Sequence, residues 1–219
     1  MTGCGFTLDH YRDLLRAAKA GGYRLAGFDH PPEPGDLIVR HDVDLSLVAA
    51  LRMAEVEADA GAWSTWTLMT RSAFYNLDSV EGERAIARLR ALGGRIAHHA
   101  VWPHVDLDGR FEPVVAWHNP DLDYVMEPIG GATNPMSPPW YDPERFRSDS
   151  NQRWGHRGQD ADCPHEALAA GAFEWLQLVI HPEIWVYAGA TMRETMESFV
   201  REDRAARFEH LRADRIDLG

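Results

Sequence analysis

The chain has little cysteine: two residues in 219, Cys4 and Cys163. They stand far apart, so neither a disulfide framework nor a cysteine zinc site is expected, and a reducing, cytoplasmic setting is the natural expectation. Basic charge is also scarce. Lysine and arginine number 22 against 34 aspartates and glutamates, a formal net charge of −12. That balance argues against non-specific binding to nucleic acid or to an anionic membrane, while leaving room for a small anionic ligand in a local basic pocket. No apolar run approaches a bilayer span, and the first residues lack the basic segment and apolar stretch of an export signal. A small molecule is therefore the expected partner; the sequence is silent on oligomeric state. What the chain does have is an ordinary hydrophobic fraction of 45% and eleven histidines. One domain is expected over 1–219, with 1–35 as a helical extension packed on it.

Periodicity predicts the framework. Residues 7–20 read as an amphipathic helix with Thr7 as N-cap and Gly21-Gly22 as its stop. Pro31 to Gly35 is a turn-rich connector. A buried strand follows from about Asp36 to Asp42, then a helix from Ser46 to Ala60, a strand from Trp63 to Thr70, a helix from Ser79 to Leu92 and a strand from Arg95 to His99. Strands alternating with helices imply a parallel α/β sheet. From Val101 to Gln159 the pattern breaks up, apart from a short strand at Val114–Trp117. Irregular chain of this length inside a domain points to functional loops. Regularity returns with a strand at Leu176–Ile180 and a helix from about Ala190 to Leu211.

Four predicted strand ends carry reactive residues: Asp42 and Asp44; His98-His99 with Trp102 and His104 beyond; Trp117-His118-Asn119; and His181. Catalytic groups of parallel α/β proteins gather at such ends. In a strand, residues i and i+2 share a face, so Asp42 and Asp44 project together. Two adjacent carboxylates repel, and a cation between them relieves this: one acid becomes a ligand and the other is free to act as base. By the same alternation His98 and His99 face apart, and His99 fits the site. Blander readings exist: the aspartates cap the next helix or pair with Arg40, and a histidine after a strand is more often structural than catalytic.

These segments resemble the polysaccharide deacetylase (NodB-homology) superfamily, in a divergent deacetylase-like branch. Arg40-His41-Asp42-Val43-Asp44 is similar to its first motif, which implies Asp42 as catalytic base and Asp44 as metal ligand. Leu92–His99 is similar to its histidine motif, which implies His99 as a ligand. The second histidine of that motif usually comes four residues later; here the nearest is His104, five residues on. Leu176–His181 resembles the last motif, which implies His181 as general acid, and Ser148-Asp149-Ser150 with Trp154 resembles the segment that orients it through Asp149. His118-Asn119-Pro120 falls where the family often places an arginine beside the base, and that arginine is absent. The resemblance spans about 36–185 and implies an irregular (β/α)7-type barrel with mostly parallel strands.

The implied activity is metal-dependent hydrolysis, zinc being the first choice of ion, that removes an N-acyl (acetyl) group from a small amino-sugar-like or biosynthetic substrate. His118, Trp102, Trp154 and Arg153 are expected to bind it, with Trp117 and Trp140 as further pocket walls and Arg145, Arg147 and Arg157 as further anion-binding groups. Two alternatives remain open: hydrolysis of another C–N bond, in a cyclic amide or ureide, and a non-catalytic binding protein on the same scaffold.

Overall fold

The computed structural model describes residues 4–121, 123–156, 159, 160 and 162–213; the expected anion-binding Arg157 lies outside them. In chain order its elements are helix α1 (Leu8–Ala20), strands β1 (Arg24–Ala26) and β2 (Asp36–Val43), α2 (Leu47–Asp59), β3 (Thr65–Met69), α3 (Val80–Ala91), β4 (Arg95–Ala100) and β5 (Val115–Trp117). After the irregular segment come β6 (Phe146–Ser148), β7 (Gly155–His156), β8 (Gln159–Asp160), α4 (His165–Ala169), β9 (Leu176–Ile180), α5 (Pro182–Val186) and α6 (Met192–Ala213). Local chemistry sets the helix starts. The Thr7, Ser46 and Ser79 hydroxyls each accept from the backbone amide three residues on, at 3.2, 3.1 and 3.0 Å, satisfying donors the helix cannot.

The strands form one sheet in the order β5-β4-β3-β2-β9-β6-β7-β8, with β1 beside the first half of β2. Strands β1 to β5, β9 and β6 pair in parallel, and β7 and β8 add an antiparallel ribbon at one edge. The parallel strands curl into a half-barrel. The extension expected over 1–35 is thus only partly helical, because β1 belongs to the sheet.

Central strand β2 is buried along its whole length, and its two faces differ. Leu37, Val39 and Val43 join the main apolar core under the helices, with Tyr11 and Leu14 of α1, Met53 of α2 and Leu89 of α3. Among them sits a polar knot. His41 Nε2 lies 2.7 Å from Glu57 Oε1, the Tyr11 hydroxyl donates to the same oxygen at 2.6 Å, Ser64 donates to Glu57 Oε2 at 2.7 Å, and the Trp66 ring stacks on His41. The other face, toward the hollow of the half-barrel, carries Ile38, Arg40 and Asp42. Ile38 packs with Ala26, Phe28, Ala97 and Val114, and Arg40 donates to Gln177 Oε1 at 3.0 Å. The irregular segment covers part of this hollow: Gln177 donates to the Pro135 and Trp140 carbonyls, and Val125, Met136 and Tyr141 pack on Phe146 and Val179.

Candidate metal centre

Asp44 follows the last residue of β2, His99 lies near the end of β4, and His118 follows β5. The β4–β5 register pairs His99 with Ala116, so His118 stands two residues further on the same face. One ligand atom from each of the three lies within 4.8 Å of the others. Asp44 Oδ1 is 3.0 Å from His99 Nε2 and 3.0 Å from His118 Nδ1, and the two nitrogens are 3.3 Å apart.

The donor set fits a cation. His99 Nδ1 faces the Ala116 carbonyl at 3.0 Å; its proton belongs there, so neutral His99 turns the Nε2 lone pair toward Asp44 and His118. Three electron-rich atoms then converge with too few protons between them. A tetrahedral zinc ion, with ligand bonds of about 2.0–2.2 Å, holds its nitrogen and oxygen donors about 3.3–3.6 Å apart, within a few tenths of the distances here. On His118, Nε2 lies 3.0 Å from the Asn119 amide. A metal at Nδ1 places the proton on Nε2, and the Asn119 amide must then present its oxygen, an outer contact of the kind that fixes ligand orientation. Burial opposes ionisation of Asp44, but the His118 and His99 imidazoles beside it and the nearby His181 hold its carboxyl far below the usual range. The Asp44 contact likewise raises the His118 pKa against burial.

Asp42 occupies the same face. Its Oδ1 accepts from Arg40 Nε at 2.8 Å and from the Thr67 hydroxyl at 2.7 Å, and its Oδ2 from Arg40 Nη2 at 2.8 Å. Burial alone would push its pKa up; the Arg40 fork, together with His99 and His181, holds it far below the ordinary value. Each carboxylate oxygen accepts about two hydrogen bonds, so Oδ1 is filled and Oδ2 keeps one direction open. The arginine beside this acid comes from its own strand, two residues earlier, so the pairing and the shared face with Asp44 are both present.

On the far side of β2, His181 follows β9. Its Nδ1 lies 2.6 Å from Asp149 Oδ1, its backbone amide donates to the same carboxylate, and the Trp185 indole donates to Asp149 Oδ2 at 2.6 Å. Asp149 is fully buried, because the β6–β9 pairing draws it beneath His181. Burial lowers the His181 pKa, but Asp149, then Asp44 and Asp42, outweigh it and raise it to about 10. Among the described residues, the non-glycine positions in the left-handed region are Asn119, Asn151 and Gln152, just after His118 and Asp149. Tight turns thus follow two of the residues that converge here.

Other expected site residues fall elsewhere. His104 is exposed, its amide bonded to Val101 in the turn after β4; the chain leaves the strand there, and His118 from the neighbouring strand takes the third position of the cluster. Trp154 is buried against Phe6 and Trp185, with ring centroids at 5.7 and 5.8 Å, in the core rather than on a pocket wall. Arg153 is exposed. Arg145 pairs with Glu174 at 2.6 Å, and Arg147 binds the Glu144 and Phe146 carbonyls, so these two arginines are engaged away from the metal centre. Trp140 packs on the Ile38 cluster and donates to the His30 carbonyl. Trp102, 41% exposed, stacks on Tyr124 with centroids at 4.6 Å and meets Trp117 edge-on at 5.2 Å. His98 accepts from the Asp108 amide at 2.8 Å and is structural.

Sequence reasoning passed over Glu183. It is buried, Oε2 has no hydrogen-bond partner, and burial together with Asp44 pushes its pKa up to about 8. A glutamate two residues after His181 in a helical first turn resembles an ordinary surface acid, and nothing in the pattern sets it apart.

No family model, curated protein or solved structure matches the chain.

Proposed function

We propose that the protein is a metal-dependent hydrolase that removes an acyl group from the nitrogen of a small, ring-bearing amide, as in the polysaccharide deacetylases its motifs resemble. The observation that carries this reading is the convergence of Asp44, His99 and His118 with a spare acid, Asp42, and a charged imidazole, His181, in one electrostatic neighbourhood. On this reading the half-barrel is a partial form of the irregular (β/α)7-type barrel.

A divalent ion held by Asp44, His99 and His118 supplies Lewis acidity toward a carbonyl and toward water; nitrogen and oxygen donors suit zinc and several of its first-row neighbours. Asp42, kept ionised by Arg40, takes a proton from the attacking water through the open side of Oδ2. His181, kept protonated by Asp149, gives its proton to the departing amine nitrogen as the C–N bond breaks. The products are a free amine and a carboxylate. The partly exposed Trp102, stacked on Tyr124, offers an apolar face to a ring, which supports an amino-sugar-like substrate.

The test is acetate release from a panel of small N-acetyl amino sugars by zinc-loaded protein. Asp42→Asn and His181→Ala are each expected to cut turnover at least about a hundredfold, the lower range for general acid–base help, while His104→Ala leaves it unchanged. Zinc content is expected to fall in His99→Ala and His118→Ala and to persist in His104→Ala. Fully loaded, folded protein that releases no acid from N-acyl substrates would sink the deacylase reading; a ring-opened acid from a cyclic amide would move the chemistry to that other C–N bond.

A further inference from the structure

A second cluster lies at the starts of α1 and α4. Cys4 precedes α1, His10 is on its first turn, and Cys163 precedes α4. One ligand atom from each lies within 4.8 Å of the others, and His10 Nε2 is 3.2 Å from Cys163 Sγ. The fold therefore brings together two cysteines 159 positions apart in sequence, which the spacing alone does not suggest. His165 stands over the same spot, its ring centroid 5.4 Å from that of His10, and its backbone amide bonds to the Cys163 sulfur. The His10 ring also lies parallel to Trp185, with centroids 6.0 Å apart and an interplanar angle of 8°, so the ring is held in place.

We propose that Cys4, His10 and Cys163 form a second metal site, structural in role and selective for a thiophilic divalent ion of the zinc class, with His165 as the nearest fourth ligand. A tetrahedral zinc with Zn–N of about 2.0–2.1 Å and Zn–S of about 2.3 Å separates the two donors by about 3.6 Å, so a small outward shift of the sulfur accommodates it. Two thiolates and one or two imidazoles make a donor set with a strong preference for zinc over magnesium or calcium. Burial and the neighbouring His165 shift His10 toward its neutral, ligating form, while burial, with Cys4 adding to it, pushes the Cys163 thiol up to about 12. The thiols lose their protons on binding, so affinity rises with pH. The role is structural because the ligands come from the start of the chain and from a segment 153 residues after His10: the ion ties α1 to α4.

Cobalt(II) alone, added to reduced full-length protein with both thiols counted by titration, tests this. Thiolate-to-cobalt charge transfer in the near ultraviolet, with tetrahedral bands in the visible, is expected. The chain has two cysteines, so any thiolate charge transfer comes from this cluster and none from Asp44, His99 and His118, which would add visible bands only. Cys4→Ser and Cys163→Ser are each expected to remove at least half of the charge-transfer intensity, whereas His99→Ala keeps it in full. Reduced protein with two free thiols and no charge-transfer band overturns the proposal, as does a band that survives unchanged in both serine variants. A Cys4–Cys163 disulfide that re-forms in the presence of excess cobalt also overturns it, assigning the pair to redox chemistry instead.

Discussion

At the scale of single residues, charge placement decides behaviour. His181 has its pKa raised to about 10 by Asp149 and the two strand-end acids, against about 6.5 in an unfolded chain. Its contribution to stability is therefore complete below pH ~6.5 and is lost as pH climbs through about 10. Asp149→Asn removes the main raising charge, so the alkaline limb of the pH–rate profile is expected to move to lower pH; an unmoved limb would assign it to another group. Glu183 gives the same direction of pH dependence for a different reason: burial disfavours its charged form. Its folded value of about 8 exceeds the ordinary 4.5, so the protein loses stability as pH rises from 4.5 through 8. Glu183→Gln, which has no charge to bury, is expected to be close to neutral at pH 5 and to raise Tm relative to the parent at pH 8; a Tm difference independent of pH contradicts this. Much at this scale was legible. The two-residue alternation placed Asp42 and Asp44 together and separated His99 from His98. The choice between His104 and His118 was not, because it depends on the pairing of a three-residue strand inside an irregular stretch.

At the scale of elements, close approach matters more than propensity. Gly21 ends α1 with an ordinary negative φ, so left-handed geometry is not why it is glycine. A Cβ there would lie 1.9 Å from the Leu168 carbonyl oxygen of α4, and that backbone cannot yield without moving the helix. Gly22, at φ +85°, has open space around it. Gly21→Ala is expected to cost more stability than the roughly 1–2 kcal/mol that left-handed strain would charge Gly22→Ala, as read by chemical denaturation; equal losses would show that α4 shifts freely. The glycine pair was readable as a helix stop, but the contact behind it was not. The main strands and helices were foreseen within about two residues, since each carries a long apolar pattern or a capping hydroxyl. Strands β1, β6, β7 and β8 were not, because two or three residues give no period to read and their pairing is decided by partners far along the chain.

At the scale of the whole molecule, the central strand has an unusual property: polar groups crowd both of its faces. Toward the helices His41 meets Glu57 and Tyr11, and toward the hollow Arg40 grips Asp42. A sheet strand normally finds its alignment because one side is greasy and the other is not, and a slip by a single position reverses every side chain. Here such a slip would thrust a guanidinium and an acid among Met53, Leu89 and Trp66 while turning an imidazole toward the open side, leaving several buried charges without partners at once. The penalty for misalignment is therefore steep even though the strand is far from uniformly oily. The same side chains that endow the molecule with chemistry also guard against its assembly in the wrong frame, so neutralising them by mutation should loosen the fidelity of folding as well as remove reactivity.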